Sequence, residues 1–146
     1  NLEAARRRLQ QFERIDYRAV GLSDSAGFLG FDAGSGSASR VNPEHPDTIE
    51  VRTLDAEVPE AVSCIKMDLE GWETQALKGC VRQIRDHHPK LALSVYHQSS
   101  DFWRIPLFVQ SIRTDYTLYL RHYTEGWSET VMYFVPTAAQ SLRIQA

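Results

Sequence analysis

Residues 64–79 read CIKMDLEGWETQALKG. The first half has the look of a strand entering a core, with Ile65, Met67 and Leu69 on one side because successive strand side chains alternate between faces. The other side carries Cys64, Lys66, Asp68 and Glu70. A central parallel strand is covered on both faces and normally reads as a continuous apolar run, and an unpaired buried charge is strongly unfavourable. Ionisable groups at every second position therefore place the end of this strand in a polar crevice. Gly71 permits a tight turn. Trp72, Ala76, Leu77, Cys80, Val81 and Ile84 then recur at helical spacing, and Pro89 ends that helix. A strand that turns directly into a helix is the repeating unit of an α/β layer fold.

Other segments extend the pattern in both directions. Leu2, Ala5, Leu9 and Phe12 predict an amphipathic N-terminal helix. YRAVGLSD, GFLGF and TIEVRTL read as three strands, the last two bracketing a Gly/Ser/Pro-rich surface loop. Gly34-Ser35-Gly36 in that loop is a lone GxG with no helix pattern after it, so it is not a dinucleotide fingerprint. KLALSVYH is a strand, and DFWRIPLFVQSIR is a helix with Pro106 near its first turn. YTLYLRHY and TVMYFVP are strands joined by TEGWSE as a hairpin. The expected fold is a mostly parallel α/β sheet with an antiparallel C-terminal hairpin.

Composition narrows the classes. The chain has 146 residues, is 42% hydrophobic and 24% charged, and carries a net charge of -3, which is ordinary for one domain and gives no electrostatic reason to expect nucleic acid or a membrane as partner. Arg6, Arg7 and Arg8 make a short basic run that a solvated helix face explains. No apolar run reaches the ~18 residues of a membrane span. The two cysteines, Cys64 and Cys80, do not make a disulfide framework; both read as small buried groups in a reducing, cytoplasmic compartment.

In sheets of this kind ligands sit beyond the carboxyl ends of the strands, so those residues are the candidates. Asp68 and Glu70 end one strand and read as a site rather than as structure. Glu73 is explained by a helix N-terminus alone. Tyr96 and His97 end the next strand; His97 is either a general base or a hydrogen-bonded structural group. Arg121, His122 and Tyr123 end another, as a polar substrate contact or as an exposed hairpin shoulder. Ser23 and Asp24 sit at a strand end where a turn accounts for both.

IKMDLEGWETQALKG, PKLALSVYH, DFWRIPLFVQSI, YTLYLRHY and ETVMYFVP, in this order and spacing, resemble the C-terminal part of FkbM-type methyltransferases. The resemblance runs from about Val20 to Pro136. It implies a Rossmann-like class I methyltransferase sheet, S-adenosylmethionine as cofactor, and methyl transfer to a hydroxyl of a sugar or natural product. Carried over, Ser23 or Asp24 meets the adenine, and Asp68 and Glu70 stand beside the transferred methyl. Tyr96, His97, Arg121, His122 and Tyr123 face a small-molecule or saccharide acceptor. The candidate bases are Asp68, His97 and His122. The family's first strand, its glycine-rich turn and the acid after its second strand have no counterpart among these residues. The expectation is therefore a partial methyltransferase domain over residues 1–146, inactive alone. No ligand spacing demands a metal, although Asp68 and Glu70 are oxygen donors of a kind Mg²⁺ accepts. A non-catalytic carbohydrate-binding or interaction module derived from the same fold is the alternative. A carboxylate hydrolase fits less well, because Asp68 and Glu70 are near neighbours on one strand rather than flanking a scissile bond.

Overall fold

The computed structural model describes residues 2–34, 36 and 39–137. The helical periodicity at the N-terminus forms α1 (Leu2–Arg8), shorter than its apolar stripe predicts; none of its residues is buried, and Leu9 and Phe12 stay exposed beyond it. β1 (Gly21–Leu22), β2 (Gly27–Asp32), β3 (Arg40–Val41) and β4 (Thr48–Arg52) then build a four-stranded sheet in the order β1-β4-β2-β3. A short helix, α2 (Leu54–Glu57), follows, capped by Thr53, whose Oγ1 accepts the Ala56 N–H at 3.2 Å. β5 (Cys64–Met67) leads into α3 (Glu73–Lys78) and a π-helical segment (Gln83–His87). β6 (Lys90–Ser94), α4 (Asp101–Ile112), β7 (Tyr116–His122) and β8 (Thr130–Pro136) complete a second sheet in the order β5-β6-β8-β7.

The sheets are mixed, which corrects the expectation of a mostly parallel one. In the first, β1–β4 is parallel while β2 runs antiparallel to both β4 and β3. In the second, β5–β6 is parallel while β6–β8 and β7–β8 are antiparallel. Parallel pairing needs a crossover of about a dozen residues or more. The helical stretch between Met67 and Lys90 provides one, whereas the turn over residues 123–129 allows only a hairpin.

One face of the second sheet makes the core. Ile65, Met67, Leu91, Leu93, Met132 and Phe134 are buried there against Ala76, Leu77, Cys80 and Ile84 and against Ile105 and Val109 of α4. Each such side chain contributes about 1.5–3 kcal/mol by leaving water. The opposite face carries Cys64, Lys66, Tyr119 and Arg121, all exposed. This accounts for the charges on β5: their face is not buried. Cys64 is accordingly exposed rather than buried, and the Lys66–Asp68 pair at 3.5 Å is open to water, so its contribution is at most about 1 kcal/mol.

The long helix expected after Trp72 is broken at Gly79. A Cβ there would sit 2.1 Å from the Ser23 carbonyl oxygen and 3.1 Å from Thr53 Cα, so the chain passes in backbone contact with the first sheet's end. Asp55 restarts the helix, accepting the N–H groups of Arg82 and Gln83 at 2.7 and 3.0 Å. His88, in the left-handed conformation (φ 51°), then ends it ahead of Pro89. In α4, Pro106 lies past the first turn, inside the helix, rather than near its start.

Candidate functional site

Beyond Met67 the chain turns sharply from β5 into α3. Glu70 (φ 52°) and Gly71 (φ 95°) are both left-handed; for the glutamate that conformation costs roughly 1–2 kcal/mol. Glu73, the first residue of α3 and fully buried, fastens the turn. Its Oε1 accepts the Leu69 N–H at 2.8 Å and its Oε2 the Gly71 N–H at 3.1 Å, satisfying donors that precede the helix's own ladder. From the end of β6, His97 reaches across and places Nδ1 2.9 Å from Glu73 Oε1. Its Nε2 faces Asp68 Oδ1 at 3.6 Å and Glu70 Oε2 at 3.4 Å. Tyr96 directs its hydroxyl at Asp68 Oδ1 (3.4 Å) and Glu129 Oε1 (3.5 Å). Gln98 Nε2 donates to the Gly71 carbonyl at 2.7 Å and ties the two strand ends together. Glu129, just before β8, is left-handed as well (φ 62°).

Burial and neighbouring carboxylates act together on the ionisable groups of this cluster. Burial alone would lower the His97 pKa, but the Glu73 carboxylate on Nδ1, with Glu70 and Asp68 close by, outweighs it and the pKa is raised. Burial, followed by the Asp68, Glu129 and Glu70 carboxylates, pushes the Tyr96 phenol up and keeps it a hydrogen-bond donor. At the start of α4, burial and then the nearby Glu73 charge push Asp101 up to about 6.

A cleft of about 450 Å³ opens between the first sheet and the ends of β5 and β6. Leu22 and Ile49 line one side, and Asp68, Glu70, Tyr96 and Glu129 the other. Two of the left-handed non-glycine residues thus face one cavity; such strain persists where the surroundings enforce it and concentrates at functional sites. A wall of three carboxylates and a phenol can accept a proton, bind hydroxyl groups or hold a cation.

The sequence pattern described as "Methyltransferase FkbM domain" matches residues 10–123. This chain belongs to the FkbM methyltransferase family. Its structure is similar to the crystal structure of methyltransferase FkbM from Methylobacillus flagellatus KT, with a TM-score of 0.75 and 35% sequence identity. The match covers 91% of this chain and 32% of that one, so the chain spans well under half the length of that relative. No curated protein matches.

In this FkbM-family chain Asp68, Glu70, Tyr96 and His97 come together, with His97 behind the cleft wall rather than in it. The other candidates lie apart from them. Ser23 is buried; its N–H bonds the Arg52 carbonyl at 2.9 Å and its hydroxyl accepts from Trp72 Nε1 at 3.4 Å, so it joins the sheets. Asp24 is exposed and receives the Ser23 and Ser25 hydroxyls, beside a separate depression on the far side of Trp72. His122 bonds Thr130 Oγ1 through Nδ1 at 2.8 Å. Arg121 lies over the Tyr119 ring, and Tyr123 shares a 2.7 Å hydrogen bond with Tyr133, around a shallow depression on the open sheet face.

Three further groups at this cluster are not among the candidates the sequence offers: Glu73, Asp101 and Glu129. Glu73 was explained as a helix-dipole residue, and nothing local distinguishes that role from a buried anchor. Glu129 reaches the cluster through strand order, which its own segment does not encode. The antiparallel register Ser94↔Val131 sets Tyr96 opposite Glu129, a consequence of β8 pairing with β6.

Proposed function

We propose that this chain works in S-adenosylmethionine-dependent O-methylation, transferring methyl to a hydroxyl of a sugar or natural product on a Rossmann-like sheet in the cytoplasm. The observation that carries this reading is Asp68: a carboxylate at a strand end on the cleft wall of an FkbM-family chain, backed by buried His97 and Glu73. The cleft suits the cofactor chemically, since a wall of Asp68, Glu70 and Glu129 favours a sulfonium cation and ribose hydroxyls. S-Adenosylmethionine, when bound, supplies an activated methyl. Glu70 and Glu129 would hold it, and Tyr96 donates a hydrogen bond that fixes the Asp68 carboxylate. Asp68 takes the acceptor's hydroxyl proton, a role worth about 10²–10⁴-fold in rate. Glu73 and His97 keep the turn bearing Asp68 and Glu70 in place, and most of the remaining acceleration comes from positioning.

The test is calorimetric titration of S-adenosylmethionine into this chain and into any longer natural chain that includes it, followed by turnover of the Asp68→Asn variant. Binding by the longer chain and a loss of at least about 10²-fold in turnover are expected. Binding by neither chain overturns the enzyme reading. A second reading, a non-catalytic carbohydrate-binding module, draws on Trp127, which is 78% exposed with its ring 6.1 Å from that of Tyr96. Saccharide binding without any affinity for S-adenosylmethionine would favour it.

A further inference from the structure

We propose that this chain self-associates through β7, two copies pairing their edge strands antiparallel about a two-fold axis at Tyr119. β7 lies at the end of the strand order β5-β6-β8-β7, and six of its seven residues are exposed. Its register with β8 runs unbroken from Tyr116 to His122, so no bulge twists the edge away. The strand contains no proline and no lysine. Bulges, prolines and lysines are the devices that keep a sheet edge from pairing with another chain. The apolar pattern also runs on past the core. Leu118 stands opposite Phe134 and Leu120 opposite Met132, both of them buried, yet the two leucines are 40% and 45% exposed.

The occupant follows from the register. The Tyr123 N–H donates to the Glu129 carbonyl at 3.1 Å and the Thr137 N–H to the Asp115 carbonyl at 2.9 Å. Bonded and non-bonded pairs alternate along an antiparallel ladder. The odd-numbered residues of β7 therefore bond β8, while Tyr116, Leu118, Leu120 and His122 turn their N–H and C=O groups outward. The Leu120 carbonyl takes the Arg121 guanidinium at 3.0 Å, a bond that a partner N–H would replace. A second copy of β7 meets these outward groups in one register that overlaps all seven residues. Tyr116 faces the partner's His122 and Leu118 the partner's Leu120 as hydrogen-bonded pairs, and Tyr119 meets the partner's Tyr119 as a close non-bonded pair. The pairs are the same read from either copy, as a closed two-fold requires. On one face four leucines join into a strip continuous with both cores. On the other, Arg121 lies opposite the partner's Thr117, so no like charges are opposed. β7 runs parallel to β6, because each is antiparallel to β8. The two-fold thus turns the two clefts to opposite edges of the joined sheet and leaves both open. The inference does not depend on the methyl-transfer reading.

The experiment is sedimentation equilibrium of this chain over a concentration series, with amide hydrogen exchange followed by NMR at both ends of the series. One strand pair and four leucines make a small interface, so a reversible dimer with a dissociation constant of roughly micromolar order is expected. The outward amides of Leu118 and Leu120 should exchange more slowly in the dimer. Tyr119→Lys and Tyr119→Glu, at an exposed position, each remove the ring pair and set like charges at the two-fold. Each should weaken dimerisation about tenfold, with circular dichroism showing the fold intact. An equimolar mixture of the two variants sets opposite charges there and should restore a dimer. A monomer at every concentration overturns the proposal, as does a dimer that both variants leave unchanged. A mixture that associates no more tightly than either variant alone also overturns it, because the two copies of residue 119 then do not meet.

Discussion

Glu73→Ala is the substitution that most directly tests the architecture of the site. The carboxylate holds three donors: the Leu69 N–H at 2.8 Å, the Gly71 N–H at 3.1 Å and His97 Nδ1 at 2.9 Å. A buried donor left without its acceptor costs about 1–3 kcal/mol. Leu69 and Gly71 are only half-buried and regain water in part, so they belong at the low end; His97 belongs higher. Relief of the charge that Glu73 places near Asp101 offsets a fraction of the loss. The net expectation is a destabilisation of about 3–5 kcal/mol, against a total of about 5–15 kcal/mol for a domain. In urea, where the slope is about 1–3 kcal/mol per molar, the unfolding midpoint should fall by roughly 2 M. Glu73→Gln keeps the volume and one acceptor oxygen but turns an NH₂ toward a backbone N–H, so it should fall between wild type and alanine. A loss below about 1 kcal/mol for the alanine variant would mean that Glu73 does not hold the turn.

Gly79→Ala should destabilise by about 2–3 kcal/mol, because its Cβ would meet the Ser23 carbonyl at 2.1 Å; helix propensity alone predicts a gain of about 1 kcal/mol, so the sign of the melting-temperature change decides. Asp101 carries a raised pKa of about 6, so the stability tied to its protonated form is complete below the ordinary carboxylate range and is lost as pH rises through about 6. Asp101→Asn should therefore flatten the pH–stability curve between pH 4 and 7 by an amount on the order of 3 kcal/mol, and a parallel offset without flattening would refute this. A thiol reagent at neutral pH should label Cys64, which is exposed, and spare Cys80, which is buried with its thiol pushed up to about 12; mass spectrometry that finds two labels on the folded protein would contradict the packing around Cys80.

Local pattern and strand order contributed unequally to what could be read in advance. Alternation and helical spacing located β5, β6, β7, β8 and α4, since each element's period is set by residues within a few positions of one another. Strand ends also located one cluster of candidates, because Asp68, Glu70, Tyr96 and His97 all follow strands whose carboxyl ends share one edge of the sheet. Which strand stands next to which is a different question, settled by long-range packing. Between β6 and β7 the chain runs through α4, and β8 then returns into the space between them. Glu129 therefore becomes the neighbour of Tyr96, while His122 bonds Thr130 one strand further out. Lys66 shows the same limit: alternation says which residues share a face, but whether a second layer covers that face is not encoded within the strand. Gly79 shows the same division. A glycine in a helical pattern costs about 1 kcal/mol relative to Ala and so asks for a reason, yet only the tertiary contact identifies the Ser23 carbonyl as the group approached, and with it the junction that sets the first sheet beside the acidic turn.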